Sequence, residues 1–341
     1  MHSPRFRRLF QIVPVAAFLS GGLSHAPCKE APWNPASAAV YSRCHGGTAL
    51  IIYRNGRVEL EEYSRGISKT SPLPGFSITK SLVALACLAE PGILLSDRVG
   101  AAAAEPVVTV RHLLSQTSGI ATGYNRLYSR GLRDVRKSAG GLKSESAPGT
   151  QFTYGPSHYE LLGSVLSRLE KSSGRSPINR FLQKSAITPA GWRTDRAGNL
   201  YLSAGAYLTP LDLLKVGKVV LNRSRTHGII PLIPPSKFLE AFQGTDANPC
   251  YGLGFWLNRN SGDHAKARDI EDAIRAGLSR SDWQSTCISK DAPRDLVCMA
   301  GTGGQRVYVI PSMRTVIVRT GRPEKYRDPE FLNALFSKRD G

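Results

Sequence analysis

The chain has 341 residues, of which 41% are hydrophobic and 21% charged, and its formal net charge is +19 at pH 7. This composition excludes a disordered chain and predicts one large globular domain or two modest ones. The positive charge favours anionic polymers. Because the Lys and Arg residues are scattered rather than clustered, we expect a basic surface facing cell-envelope polymers and no nucleic-acid module.

The N-terminus has the pattern of a secretory signal peptide. Three arginines precede an apolar run that ends at small residues around Ala26. The alternative is a membrane anchor, but Pro14 cuts the apolar run below the roughly 20 residues that a spanning helix needs. We therefore expect a signal peptide over residues 1–26 and a periplasmic or secreted mature chain, 27–341, without a transmembrane segment.

Six cysteines, an even number in an oxidising compartment, predict disulfide bonds. Sequence alone leaves 15 full pairings open. We expect Cys287 to pair with Cys298, because short strand-like segments flank both, and Cys87 to be a core thiol. No CxxC, HExxH or other metal-ligand spacing is present, so we expect no metal and no cofactor.

Strand patterns lie at both ends of the chain. "TALIIYRNGRVELEEYSRG" reads as two strands joined at Asn55-Gly56, and "QRVYVIPSMRTVIVRTG" as two strands that turn through Pro311-Ser312. The helix "DPEFLNALFSKR" closes the chain. This order predicts an α/β (α+β) fold in which one antiparallel sheet is assembled from both termini and flanked by helices.

The middle of the chain is predicted to be an inserted, all-helical domain. "VTVRHLLSQTSGI" predicts a short helix ended by Gly119, and "SHYELLGSVLSRLEKSSG" an amphipathic helix ended by Gly174. "TPLDLLKVGKVVLN" predicts a third helix with Thr209 as N-cap and Pro210 at its first position. We expect the sheet subdomain at about 27–97 and 196–341, and the helical subdomain at about 98–195.

The stretch "PGFSITKSLVALACLAE" places Lys80 three residues after Ser77 and then continues as apolar sequence. On a helix this spacing puts both side chains on one face, with Cβ atoms about 5–6 Å apart. The apolar residues predict a helix buried on all sides. Burial lowers a lysine pKa toward values at which the amine accepts a proton, and serine needs such a base to become a nucleophile. The alternative is a surface lysine on a half-buried helix.

Two further segments favour the catalytic interpretation. In "APGTQFTYGPSHYELLG", Tyr154 precedes a helix, where it is either a core aromatic or a proton shuttle whose pKa a lysine cation lowers. In "AGTGGQRVYVIP", glycines lead into a strand, so that the Gln305 N–H and the Ser77 N–H are candidates for an oxyanion hole. No helix follows these glycines, which excludes a dinucleotide-binding loop.

Taken in order, Ser77-Ile-Thr-Lys80, "TVRHLLSQTSGI", "PGTQFTYGPSHYELLG" and "GTGGQRVYVIP" resemble the serine hydrolases related to class C β-lactamases. That family includes DD-peptidases, esterases and 6-aminohexanoate-dimer hydrolases. The resemblance covers nearly the whole mature chain. It implies that Ser77 is the acylated nucleophile, that Lys80 is its base, that Tyr154 transfers a second proton, and that the Gly-rich strand lines the oxyanion hole.

The sequence departs from the family pattern at two motifs. Pro156 occupies the position of the asparagine in Tyr-x-Asn, and Thr302-Gly303-Gly304 replaces Lys-Thr-Gly or His-Thr-Gly. A carboxylate-bearing substrate such as a β-lactam loses an electrostatic anchor. We therefore expect small, less anionic amide or ester substrates rather than efficient β-lactamase action, with Gly304 and Tyr207 as further candidates for substrate contact.

Two other functions remain as alternatives. A Ser-His-Asp hydrolase needs Gly-x-Ser-x-Gly, and the nearest match, Gly75-Phe76-Ser77-Ile78-Thr79, lacks the last glycine. A penicillin-recognising or envelope-binding protein would keep the same fold with little or no turnover. Labelling of Ser77 and hydrolysis of an ester separate that binding protein from the enzyme.

Overall fold

The computed structural model describes residues 32–99, 106–174, 176–223, 231–259, 264–322 and 324–337. The predicted signal peptide lies outside these residues. Within them the strands are β1 (Gly47–Arg54), β2 (Arg57–Tyr63), β3 (Leu73–Pro74), β4 (Gly191–Trp192), β5 (Ala206–Leu208), β6 (Trp256–Leu257), β7 (Lys266–Ala267), β8 (Thr286–Cys287), β9 (Val297–Gly301), β10 (Gln305–Ile310) and β11 (Thr315–Gly321).

Both chain ends contribute to one antiparallel sheet of six strands in the order β2-β1-β11-β10-β9-β6, as predicted. The two predicted hairpins are confirmed. β1 and β2 meet at Asn55 and Gly56, which both have positive φ as a tight two-residue hairpin turn requires. β10 and β11 are joined through a short 3-10 turn, Pro311–Met313.

The described helices are α1 (Pro35–Cys44), α2 (Ile78–Ala89), α3 (Val110–Leu114), α4 (Tyr124–Leu127), α5 (Val135–Gly140), α6 (Ser157–Ser173), α7 (Pro177–Lys184), α8 (Pro210–Leu221), α9 (Pro235–Ala241), α10 (Ile270–Ala276), α11 (Arg280–Gln284) and α12 (Asp328–Phe336). Helices α3 to α7 lie in the segment 98–195, but the prediction that it is all-helical is wrong, because strand β4 (Gly191–Trp192) lies there too. By their contacts, residues 32–341 form one unit. The division of this unit into a sheet subdomain and a helical subdomain stays a prediction.

Helix ends follow the capping signals with one exception. Gly174 ends α6 with φ +66°, and Thr209 caps α8 by accepting from Asp212 N, both as predicted. The prediction that Gly119 ends a helix is wrong, because α3 already ends at Leu114. Gly119 has φ +76°, and a Cβ there would lie 2.0 Å from the Ser146 carbonyl oxygen, so a close chain approach explains this glycine.

The apolar core lies on both faces of the sheet. Along β1, Ile51 packs into one cluster with the α2 and α8 side chains, whereas Leu50 and Ile52 pack into the other with α1 and α12. This division follows from the alternation of side chains along a strand. Residues 78–88 of α2 are all buried, as the apolar run predicts. Helix α2 is therefore fixed against the sheet with Lys80 inside the protein.

The predicted disulfide is not formed. Cys287 and Cys298 are both free, as are the other three cysteines of the described residues. Cys287 lies on β8, in a two-stranded sheet with β7, whereas Cys298 lies on β9 of the large sheet. Because the two residues belong to different sheets, flanking strand patterns were not evidence of proximity. Cys87 is a buried thiol, as expected, and burial raises its pKa.

Among the described residues, none of the helices combines the length and the apolar character that crossing a bilayer requires.

Candidate active site

Ser77 and Lys80 are brought together by the first turn of α2. Ser77 is the N-cap residue, and Lys80 follows one turn later with only 2% of its surface exposed. The Lys80 Nζ atom donates to Ser77 Oγ at 3.0 Å and to the Ser203 carbonyl oxygen at 2.9 Å. The predicted proximity is thus present, and the amine is held in a hydrogen-bonding range that permits proton transfer.

The electrostatic setting of Lys80 makes the neutral amine accessible near pH 7. Burial lowers the pKa of Lys80 to about 7, while the negative charge of Glu160 acts in the opposite direction and raises it. At neutral pH a substantial fraction of Lys80 is therefore unprotonated. An ordinary exposed lysine, with a pKa near 10.4, would be almost fully charged there.

Tyr154 faces the same two groups. The centre of its ring lies 5.0 Å from Lys80 Nζ, and its hydroxyl lies close enough to Ser77 to lower the tyrosine pKa in part. The expected net lowering of this pKa is wrong, because burial raises it well above the usual value. Tyr154 is therefore a neutral phenol at pH 7, and Lys80 is the one of these two groups whose pKa suits a base.

The glycine-rich segment contributes differently from its prediction. Ala300, Gly301 and Thr302, at the end of β9, line the cleft beside Ser77. A Cβ at Gly301 would lie 2.5 Å from the Gly75 carbonyl oxygen, so this strand approaches the turn before Ser77 too closely for a larger residue.

The next three residues, Gly303, Gly304 and Gln305, do not line the cleft beside Ser77. Gly303 and Gly304 line a separate pocket behind α10, and Gln305 is paired with Gly301 inside the β9–β10 hairpin. The Gln305 side chain exchanges two hydrogen bonds with the Gly321 backbone. The predicted use of Gln305 at Ser77 is therefore not supported by its position.

Two other predicted substrate contacts also lie away from the cleft lining. Pro156 is buried at the start of α6, where its carbonyl oxygen accepts from Tyr159 N and Glu160 N. Tyr207 lies on β5 opposite Pro74 and is 43% exposed. Neither side chain lines the space in front of Ser77.

The residue before the nucleophile has a strained backbone. Phe76 has φ +45°, which is uncommon for a bulky side chain. Its side chain is 37% exposed and lines the cleft. Strain of this kind persists where surrounding structure enforces it and clusters at functional sites. Nothing in the residue types around Phe76 indicated it beforehand.

The cleft has a volume of about 270 Å³ and walls that the sequence did not predict. Besides Ser77, Phe76, Tyr154 and the end of β9, its lining consists of Tyr124, Tyr128, Ala204, Ile270, Glu271, Ile274 and Arg275. Most of these side chains are aromatic or aliphatic, and the two charged residues lie one helical turn apart on α10. The arrangement suits a small, largely apolar group beside the serine.

A second unpredicted feature is a buried polar network behind Lys80. Glu160 is fully buried and accepts hydrogen bonds from Leu202 N at 3.2 Å, Ser203 N at 3.0 Å and Ser203 Oγ at 2.5 Å. The same Ser203 presents its carbonyl oxygen to Lys80, and its hydroxyl lies 3.0 Å from that of Tyr128. An acidic residue in the apolar face of α6 was the signal that could have revealed Glu160.

Replacing Glu160 with glutamine is expected to shift the acidic limb of the pH–rate profile. Removing the carboxylate charge lowers the Lys80 pKa below its wild-type value of about 7, because Glu160 raises it in the wild type. The limb of kcat/KM that reports deprotonation of the base then moves to lower pH. Profiles between pH 5 and 9 for an ester substrate measure this shift.

Glu90→Gln is the matched control for that experiment. Glu90 follows α2 and pairs with Arg180 at 2.6 Å, away from the cleft. We expect its acidic limb to coincide with that of the wild type. A Glu160→Gln limb at unchanged or higher pH would contradict the role of Glu160.

The described residues include no group of three or more His, Cys, Asp or Glu side chains placed to hold a metal ion.

Comparisons with known proteins identify the family and the fold. The sequence model of the Beta-lactamase family matches residues 38–322. Protein flp of Staphylococcus aureus (strain COL) is 29% identical over 169 residues, which cover 42% of this chain. The match spans only 33% of the length of that relative.

Solved structures share the fold at low sequence identity. A protein of Bacteroides dorei DSM 17855, provisionally assigned as a beta-lactamase, has a TM-score of 0.65, 15% identity, and coverage of 87% of this chain and 96% of its own. A provisional 6-aminohexanoate-dimer hydrolase of Bacillus anthracis has a TM-score of 0.61 and 16% identity, with coverage of 86% of this chain and 77% of its own. A beta-lactamase/D-alanine carboxypeptidase of Pseudomonas syringae has a TM-score of 0.62 and 14% identity, with coverage of 89% of this chain and 99% of its own.

Proposed function

The chain belongs to the Beta-lactamase family, and we propose that it is a serine hydrolase that cleaves an amide or ester bond through an acyl-enzyme on Ser77. The observation that carries the proposal is the buried Lys80 amine, with a pKa of about 7, at 3.0 Å from Ser77 Oγ. A serine hydroxyl becomes a nucleophile when an adjacent neutral base removes its proton.

In the acylation step, neutral Lys80 takes the Ser77 proton while Oγ forms a bond to the substrate carbonyl carbon. The carbonyl oxygen becomes an oxyanion. When the tetrahedral intermediate collapses, the bond to the leaving group breaks, and Tyr154 donates its proton to that group. Lys80 returns a proton to Tyr154, which restores both residues. Water then replaces the leaving group and hydrolyses the acyl-enzyme by the same steps in reverse order.

We assign the two oxyanion donors to the N–H groups of Ser77 and Thr302. The assignment of Thr302 rests on strand alternation. Asn258 N donates to the Leu296 carbonyl oxygen, so the backbone of residue 296 faces β6. Backbone groups of alternate residues face the same side of a strand, which directs residues 298 and 300 to that side, and Thr302, the first residue after β9, continues the alternation into the cleft that it lines. Beyond Cys298, where β6 has no further partner residue, this side is the cleft.

The cleft favours a small substrate without a required carboxylate. The end of β9 offers Ala300, Gly301 and Thr302 in place of a cationic side chain, and Pro156 offers no amide. Aromatic and aliphatic walls instead favour an apolar acyl group. Esters or amides of short acyl chains therefore fit the site better than β-lactams.

Replacing Tyr154 with phenylalanine is expected to lower kcat by about 10²-fold, the lower range for loss of a positioned general acid. The ring and its contact with Lys80 remain, so the fold and substrate binding should change little. Steady-state kinetics with an ester and an anilide of the same acyl chain measure the effect. The anilide should lose more activity than the p-nitrophenyl ester, because only its leaving group needs protonation. Equal losses would contradict the assigned role of Tyr154.

Fluorophosphonate labelling of the purified chain 27–341 tests the proposed function. We expect one covalent adduct, mapped to Ser77 by peptide mass analysis, and turnover of p-nitrophenyl esters in a panel of short acyl esters and amides. If the protein neither labels nor hydrolyses any member of the panel, the proposal fails and the penicillin-recognising or envelope-binding alternative replaces it.

We also propose that the protein is exported after cleavage of residues 1–26, as the N-terminal sequence pattern indicates. N-terminal sequencing of the protein from the periplasmic fraction and the medium tests this. A mature chain that begins with Met1 in the cytoplasmic fraction would contradict it.

A further inference from the structure

Arg306 is a fully buried charged residue directly behind the cleft. It lies on β10 with 0% of its surface exposed. Its guanidinium makes a two-pronged contact with Asp328 at the start of α12, with Nε to Oδ1 at 2.7 Å and Nη2 to Oδ2 at 3.0 Å. Such a fork fixes the plane of the guanidinium.

The remaining guanidinium nitrogen of Arg306 bonds to the backbone at the end of β9. Nη1 donates to the Gly301 carbonyl oxygen at 2.8 Å and to the Gln305 carbonyl oxygen at 3.0 Å. A charged donor forms a stronger hydrogen bond than a neutral one and polarises the peptide that accepts it. Arg306 therefore fixes and polarises the peptide that links Gly301 to Thr302.

The geometry of that peptide determines where the Thr302 N–H points. In a trans peptide the carbonyl of one residue and the N–H of the next lie in one plane and point in opposite directions. The Gly301 carbonyl points to Arg306, so the Thr302 N–H points away from it, toward the cleft that Thr302 lines. Polarisation of the carbonyl also makes this N–H a better donor.

We propose that Arg306 is a positioning residue for catalysis, which aims and polarises the Thr302 N–H toward the oxyanion formed at Ser77. This inference rests on the proposed function and extends it to a residue that touches neither substrate nor nucleophile. Of the groups that Arg306 contacts, the Gly301–Thr302 peptide is the one beside the oxyanion, and Glu271, at 3.5 Å, also lines the cleft. Loss of Arg306 should therefore affect the transition state rather than substrate binding.

Arg319 is a matched control for the contribution that a buried arginine makes to the stability of the fold. It is also 0% exposed and packs against Tyr326, as Arg306 does. Its hydrogen bonds go to Ser42 Oγ at 3.2 Å, to the His45 carbonyl oxygen, and to the Gly304 carbonyl oxygen at 2.8 Å, which lies in the β9–β10 turn two residues past Thr302. Replacing Arg319 should therefore destabilise the fold and loosen the far end of this turn, while the hydrogen bond from Arg306 to the Gly301 carbonyl oxygen stays in place.

The test compares Arg306→Lys and Arg306→Met with Arg319→Lys. Thermal unfolding, kcat and KM for p-nitrophenyl butyrate, and Ki for a boronic acid that forms a tetrahedral adduct are measured for each. For Arg306→Met we expect kcat to fall and Ki to rise by about 10²-fold, the effect of losing one oxyanion donor. KM should stay within about threefold. Arg306→Lys should keep part of the activity, and Arg319→Lys should lose stability but keep kcat.

A double-mutant cycle with Thr302→Pro shows whether Arg306 acts through this N–H. Proline removes the donor itself, so Arg306→Lys should then cause no further loss of kcat. If the Arg306 variants do not fold, Asp328→Asn replaces them in the cycle, because it loosens the guanidinium without deleting it.

Three results would overturn the inference. One is an unchanged kcat and Ki in folded Arg306 variants, or in Asp328→Asn if it replaces them. Another is an equal kcat loss in Arg319→Lys. The third is full additivity with Thr302→Pro. A wild-type protein that neither labels nor turns over would instead refute the proposed function, and the inference with it.

Discussion

The Ser77→Ala variant is expected to lose fluorophosphonate labelling completely and to show a kcat about 10⁶-fold below the wild type, at the background set by binding and the oxyanion hole alone. The reason is that, among the residues that the structure describes, no other hydroxyl has the surroundings of Ser77, with the Lys80 amine at 3.0 Å and the Tyr154 hydroxyl within hydrogen-bonding reach. Labelling followed by intact mass, and ester kinetics at pH 8, measure both quantities.

Ser81 supplies the control for that variant. It lies one turn further along α2, is buried, and donates to the Gly254 carbonyl oxygen at 2.6 Å. Ser81→Ala removes a hydroxyl of the same helix without touching the nucleophile, so labelling should persist. If Ser77→Ala were still labelled at the wild-type rate, the nucleophile would be another residue and the proposal would be wrong.

The Ser77–Lys80 pair was predictable because it depends only on local geometry. Three residues on a helix place two side chains together whatever the rest of the fold does. The hairpins at Asn55-Gly56 and Pro311-Ser312 are local in the same sense, since turn residues act through their own backbone angles. These elements were therefore predicted correctly from short stretches of sequence.

The position of Gln305 outside the cleft lining could not be predicted because it depends on strand register. A shift of one residue along β9 reverses the direction in which a backbone N–H points. Glycines at 303 and 304 indicated a turn, but they did not show that the hairpin pairs Gln305 with Gly301. That pairing leaves Thr302, rather than Gln305, at the cleft.

The network behind Lys80 could not be predicted because its contacts join distant parts of the chain. Lys80 and Ser203 are 123 residues apart, and Glu160 and Ser203 are 43 apart. The sign of the Tyr154 pKa shift failed for a related reason. Proximity to a lysine lowers a phenol pKa and burial raises it, and only the fold shows that burial is the larger effect here.

Replacing Lys80 with methionine is expected to lower kcat/KM for an ester by about 10³- to 10⁴-fold, the upper range for loss of a general base. Methionine keeps most of the side-chain volume inside α2 but cannot accept a proton. The acidic limb near pH 7 should disappear from what activity remains, because that limb reports deprotonation of Lys80. Ester kinetics between pH 5 and 10 measure both effects.

Lys218→Met is the matched control for the loss of a lysine. Lys218 lies on α8 with its amine 4.0 Å from the centre of the Tyr53 ring, outside the cleft lining. We expect its kcat/KM and its pH profile to stay within about threefold of the wild type. Thermal unfolding of both variants confirms that the comparison is made between folded proteins.

Persistence of a limb near pH 7 in Lys80→Met would require another titrating group, and the candidates around the cleft are few. Burial lowers the pKa of His158 to about 4, and the ring is already bonded to Ser118 and Thr153. Burial and the neighbouring Asp328 raise the pKa of Asp269 to about 7, but Asp269 caps α10 and does not line the cleft. An unchanged limb would mean that a group near α10, rather than Lys80, sets the pH dependence, and the assignment of Lys80 as the base would be wrong.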